Sequence, residues 1–287
     1  MKNKKADTSH AALQTPMSAK RLVLSLFGAL DDATLPIAKL IVGAGVFGIE
    51  ESAVRMAANR LVNEGVLSLV ERGWYGISVQ GETLYEASRA WQKQNERLGD
   101  WTGEWVVVHI AHLGRSDRQA LRRRNRAFVL CGFAELESGL WVRPHNLTLS
   151  IVALRAELVK LGLGEGAVVF RAAELIHPHS DPFPDLWDRN ALETSYNSAL
   201  LAMQESESTL DSKPLDAAAR EVHEIGASVV SVLTHDPLLP EPFVDTSLRR
   251  KVYDAMLSYD ALGKAIWEEL FSSTRTGDSS AVANKLC

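Results

Sequence analysis

The sequence predicts an α+β protein made of an N-terminal winged helix-turn-helix, a central ferredoxin-like α+β domain and a C-terminal helical domain. Three observations carry that expectation. Residues 50–77 read as an amphipathic helix followed by two short strand-like runs. Residues 104–170 alternate strand, helix, strand, helix, strand. From Trp187 onward only helical periods recur. Helix and strand alternating over a short span imply one small layered domain, and the helical run after it implies a separate one.

Taken in order, residues 1–17 are polar and aperiodic, which predicts a disordered tail. Residues 18–100 form the first domain. Its opening helix, residues 19–30, places Leu22, Val23, Leu26, Phe27 and Leu30 on one face. In residues 50–64, Val54, Ala57, Ala58, Leu61 and Val62 share the apolar face of a second helix, and Gly65 stands where a left-handed residue ends it. Strand-like runs at 67–70 and 74–77 flank a tip at Arg72-Gly73, and a helix over 81–98 links to the next domain. Residues 101–176 form the central domain, with strands at 104–110, 139–143 and 167–170 and helices at 117–131 and 148–161. Residues 177–271 form the helical domain, with helices at 192–205, 215–233 and 248–271 and a Pro-rich link at 235–242. A second disordered tail is expected over 272–287.

The 50–64 helix carries the most specific chemistry. Ser52, Arg55, Met56, Asn59 and Asn63 lie opposite its apolar face, with Arg60 on the edge. Arg matches the paired acceptors of guanine and Asn the acceptor and donor of adenine. Arg55 and Asn59 are four residues apart, so they stack on one side and reach one groove floor. The candidate DNA-binding set is Ser52, Arg55, Met56, Asn59 and Arg60, with Arg72 at the wing tip and Lys39 upstream. The same spacing also describes an ordinary solvated helix face.

A second reading competes for this stretch. Gly43, Gly45 and Gly48 form a literal G-x-G-x-x-G, residues 37–42 can be the strand before it, and Glu71 lies where a ribose-binding acid would sit. That reading is a Rossmann-type nicotinamide- or flavin-dependent enzyme. Against it, residues 19–30 are already helical, and after Glu71 the chain turns back at once, leaving no helix for a parallel crossover. Arg55 and Arg60 are also unusual choices for a helix that covers a sheet.

Composition bounds the rest. The chain has 287 residues, 46% hydrophobic and 23% charged, ordinary for a globular protein of two or three domains. The near-apolar run at 40–49 is about half a membrane span, and residues 1–16 have no apolar signal region, so a cytoplasmic protein without membrane association is expected. Cys131 and Cys287 are far apart and lack C-x-x-C spacing, so no disulfide framework or zinc site is expected. The net charge of −5 is uneven: residues 1–75 sum to +2, 76–100 to −1, 101–145 to +3 and 146–287 to −9. A mildly basic front and an acidic rear suit a DNA-reading head joined to a regulatory or oligomerising remainder.

The order of these parts resembles the PaaX-type repressors of bacterial aromatic-acid catabolism. The resemblance rests on Arg55 with Asn59-Arg60-Leu61-Val62-Asn63-Glu64-Gly65, Trp101-Thr102-Gly103-Glu104-Trp105, and Gly139-Leu140-Trp141-Val142-Arg143-Pro144-His145. Trp187-Asp188 with Tyr196 and Asp236-Pro237-Leu238-Leu239-Pro240 follow, so it spans roughly residues 18–271. It departs at Val66, where the family usually has Trp, at Ile77-Ser78, which replaces Leu-Thr, and in a shorter wing. The resemblance implies a homodimeric repressor on a double-stranded DNA operator, released by a small-molecule effector, an aromatic acid or its CoA thioester, with no resident cofactor.

Arg122, Arg123 and Arg126 belong to the densest basic run and are candidates to cradle the phosphates of such an effector, to meet a DNA backbone, or simply to pair with the acidic C-terminal region or solvent as an exposed helix face. Trp141, Trp187 and Tyr196 are candidates to stack on its ring, although such side chains more often fill cores. His177, His179 and Asp181 sit in a Pro-rich stretch that reads as a linker, with metal binding the sharper alternative. No G-x-S-x-G, H-E-x-x-H or P-loop lysine appears, so catalysis is not expected.

Overall fold

The computed structural model describes residues 17–30, 32–114, 117–177 and 183–283. The chain is α+β, with two small antiparallel sheets among its helices. Two compact units form, one from the described residues of Met1–Ala90, Ala202–Val229 and Met256–Cys287, the other from Trp91–Leu201 and Val230–Ala255.

In the first unit the apolar stripes expected from sequence become α1 (Ala19–Leu30) and α3 (Glu51–Asn63), and both pack against α2 (Ile37–Gly45). Leu22, Val23, Leu26, Phe27, Leu40, Val54, Ala58 and Leu61 are essentially sealed from solvent. Residues 37–42, offered as a strand by the dinucleotide reading, are therefore helical. Ile37-Ala38-Lys39-Leu40-Ile41-Val42 is short and apolar, a pattern that fits a strand or a buried helix equally, and packing against α1 and α3 decides it. Before α2 lies β1 (Thr34–Pro36), which sequence reading missed. It is three residues long and pairs only through β3, the edge position at which Pro36 costs the sheet no hydrogen bond. β2 (Leu67–Glu71) and β3 (Trp74–Ile77) form a hairpin, and the sheet order is β1-β3-β2. The linking helix is shorter than expected: α4 (Val79–Arg89) gives way to a 3-10 segment, Ala90–Arg97. There Trp91 is buried edge-on against Tyr253, whose hydroxyl donates to the Gln92 carbonyl, so tertiary contacts replace the regular helical pattern.

The second unit holds β4 (Trp105–His109), α5 (Arg118–Leu130), β5 (Ala134–Glu137), β6 (Leu140–Pro144), α6 (Ile151–Leu161) and β7 (Val168–Ala172). The sheet order is β5-β6-β4-β7, all antiparallel. β5 was also missed, because Ala-Glu-Leu-Glu carries little apolar signal. Asp117 caps α5 by accepting from the Gln119 and Ala120 amides, and Ser150 caps α6 through Ala153. One face of the sheet buries Val106, Val108 and Trp141 under Phe128 of α5 and Leu154 and Leu158 of α6. Alternation sends Trp105 to the other face, where it meets Trp101, Phe183 and Phe243.

Three long helices complete the chain: α7 (Arg189–Glu207), α8 (Leu215–Thr234) and α9 (Thr246–Ala283). Each contributes residues to both units, so the expected self-contained domain over 177–271 is divided between them. The tail expected to be disordered from 272 is helical to Ala283, because extending an existing helix needs no new nucleus. The expected N-terminal tail through residue 16 lies outside the described residues. Among the described residues no helix is long and apolar enough to cross a membrane.

Candidate nucleic-acid interface

Helix α3 buries Val54, Ala57, Ala58 and Leu61 and leaves Ser52, Arg55, Met56, Asn59 and Arg60 exposed. Met56, an apolar side chain at 67% exposure, stands out among them. The turn before α3 explains the glycine pattern. Gly43 packs α2 closely on α1, since a Cβ there would sit 2.9 Å from Leu26 Cδ1. Gly48 takes the left-handed conformation, φ +69°, that turns the chain from α2 toward α3. Both glycines serve helix packing and turning. With Ile37–Gly45 helical and no parallel strand pair among the described residues, the dinucleotide geometry is missing, and Glu71 sits exposed at the end of β2.

Side-chain contacts set what the α3 face can do. Arg55 pairs with Glu51 at 2.7 Å, Arg60 pairs with Glu64 at 2.9 Å, and Lys20 also binds Glu64. Hydrogen bonds from Lys20 and then Arg60 hold the Glu64 carboxyl below its ordinary range. These are exposed pairs, so water or phosphate displaces them at little cost. Asn59 is oriented from below: Tyr75 of β3, itself buried, donates its hydroxyl to Asn59 Oδ1 at 3.3 Å. The hairpin thus braces the residue best suited to read adenine. At the hairpin tip Arg72 is exposed, and Leu69, Val70 and Trp74 present apolar surface beside it. Lys39 does not join this face. It is half-buried on α2, 3.6 Å from Asp32 and 5.5 Å from the Phe271 ring centre.

The proposed effector residues do not converge. Arg122, Arg123 and Arg126 lie on the exposed side of α5, whereas Arg124 of the same run is buried with its Nε unpartnered. Trp141 stacks on Phe128 at 4.3 Å within the sheet core. Trp187 donates to the Gly132 carbonyl at 3.2 Å and packs edge-on against Phe243. Tyr196 is buried and donates to Asp236 Oδ2 at 2.7 Å; burial first, then the Asp236 charge, pushes its pKa up. Burial also raises the Asp236 carboxyl. Trp141 and Tyr196 are therefore internal supports. His177 contacts Glu137 at 3.2 Å, while His179 and Asp181 lie outside the described residues. Cys131 is a poor nucleophile, since burial pushes its thiol up to about 11.

Sequence reasoning missed a buried polar chain in the second unit. Arg143 is fully enclosed and donates to the carbonyls of Cys131 and Pro144 and to Asn146 Oδ1, and Asn146 in turn donates to the Leu238 carbonyl at 2.7 Å. Burial brings the Arg143 pKa down to about 10. The only advance signal was Arg143-Pro144 beside Pro237-Leu238-Leu239-Pro240 in the repressor resemblance; the contact itself is non-local.

No family model and no curated protein matches the chain. Among solved structures it is similar to the uncharacterized protein Rv0674 from Mycobacterium tuberculosis, with 20% identity, a TM-score of 0.65, and 88% of this chain and 98% of that chain covered. At that identity the likeness is one of fold.

Proposed function

We propose that this protein is a DNA-binding transcriptional repressor of the PaaX type. In this reading α2, the turn at Gly48 and α3 form a helix-turn-helix, β2 and β3 form its wing, and β4–α5–β5–β6–α6–β7 forms a ferredoxin-like domain. The observation that carries it is the exposed face of α3, where Arg55 and Asn59 lie one turn apart and Asn59 is braced by the wing. Arg55 and Asn59 read base edges, and Ser52, Arg60 and Arg72 hold phosphates. The protein works in the cytoplasm as a homodimer, so that two α3 helices enter successive major grooves. An effector, an aromatic acid or its CoA thioester, favours a state with lower operator affinity, and release follows from that difference.

Arg55→Ala tests the readout. Its operator affinity in a mobility-shift titration is expected to fall by roughly 1–3 kcal/mol, with relaxed preference at one base pair. Unchanged affinity and preference would remove Arg55 from the site.

A further inference from the structure

The second unit contains an open cavity of about 310 Å³ that no sequence motif announced. Its lining includes Leu98, Asp100, Trp101, Pro240, Glu241 and Arg249. We propose that it binds a free amino acid, with the ligand carboxylate on Arg249, its ammonium facing Asp100 and Glu241, and its side chain against Trp101, Leu98 and Pro240.

Arg249 decides the polarity of the ligand. It is only 6% exposed, yet of its guanidinium only Nη1 is engaged, donating to the Leu239 carbonyl at 2.6 Å. Its other guanidinium nitrogens hydrogen-bond no acceptor among the described residues and are not sealed from solvent, while the buried Asp236 carboxyl is the nearby group that offsets part of its charge. A fork of donors held in a half-enclosed site matches a carboxylate in shape and charge. The rim decides the rest. Glu241 is fixed there by accepting from the Thr246 amide at 3.0 Å, and Asp100 is exposed beside it. A simple carboxylate would meet both as like charges, whereas a zwitterion satisfies the rim as well as the arginine. Trp101 supplies an apolar wall, because its indole N–H is already donated to the Glu104 carbonyl at 2.7 Å. The volume sits at the small end of ligand sites, roughly 300–1,000 Å³, and suits a single amino acid.

If the DNA-binding part of the reading above holds, an amino-carboxylate held in this cavity takes the place of the aromatic acid or CoA thioester named there as the effector.

Calorimetric titration of the full chain without DNA tests the site. Each common L-amino acid is titrated in turn, and at least one is expected to bind. Its deaminated acid is expected to bind about tenfold more weakly, its decarboxylated amine and free coenzyme A not at all. Arg249→Gln should abolish binding. Because that change also removes the bond to Leu239, Gly99→Phe serves as a second variant: Gly99 lines the cavity, a Cβ there meets only ordinary contacts at 3.7 and 3.8 Å, and a bulky side chain at this position is expected to obstruct the site. Asp100→Asn should erase the preference for the amino acid over its deaminated acid. No binding by any amino acid at millimolar concentration, or binding unchanged in Gly99→Phe, overturns the proposal. The DNA reading is probed by Arg55→Ala with no amino acid present, so either can fail alone.

Discussion

His223 shows how one buried residue records the packing of its surroundings. Its Nε2 lies 3.2 Å from Ser25 Oγ, and its ring meets Phe47 and Trp267 edge-on. Burial, reinforced by the charge of Arg21, lowers its pKa to about 4. The folded imidazole is therefore neutral where the unfolded one, near 6.5, already takes up a proton. Its contribution to stability is complete above about 6.5 and is lost as pH falls toward 4. Between pH 7 and 5 the wild type is expected to lose about 2 kcal/mol through this group, measured by denaturant unfolding. His223→Phe should lack that component. An identical pH dependence in the variant would assign it elsewhere. Asp236 acts in the opposite sense, because a raised folded carboxyl favours the folded state as pH falls through the window above its ordinary value.

At the same scale, some candidate residues were legible and others were not. Arg55 and Asn59 could be found because helical periodicity is local, and the exposed face is where the spacing put it. Trp141 and Tyr196 misled because an aromatic side chain looks the same whether it lines a pocket, stacks in a core or bonds a buried carboxylate. Arg249 was invisible because its setting joins residues 98–101 to 240–249, a pairing no spacing rule reaches.

Among elements, α3 and the hairpin form the argument for DNA. The α3 face is electrostatically modest, since Arg55 and Arg60 are shared with Glu51 and Glu64. Arg72 at the hairpin tip, with no carboxylate partner among the described residues, is thus the hairpin's principal cation. Arg72→Ala should flatten the dependence of log affinity on log salt by about one unit per subunit, with base preference unchanged. An unaltered slope would detach the hairpin from the proposed contact with the DNA backbone. Long periodic helices such as α3, α5 and α8 were readable in advance. α2 was ambiguous because a short apolar run next to glycines suits either element, and β1 and β5 were hidden because three or four residues with polar content hold no period. The sheet nonetheless closes on them, since pairing across β3 and β6 supplies what local preference lacks.

For the whole molecule, alternation along the chain correctly indicated α+β, while the division into parts was harder to read. The long helices α7, α8 and α9 each serve both compact units, so a boundary drawn where helices begin does not separate them. The uneven charge is consistent with the proposed arrangement, with a net of +2 over residues 1–75 against −9 over 146–287. Selection of binding sites from a random double-stranded DNA pool, run in parallel on the wild type and on Arg55→Ala/Asn59→Ala, tests the central claim directly. The wild type should enrich an inverted repeat whose half-sites are about one helical turn apart, and the double variant should enrich none. Absence of any enriched sequence with the wild type, or the same motif emerging with both proteins, would contradict DNA reading by α3.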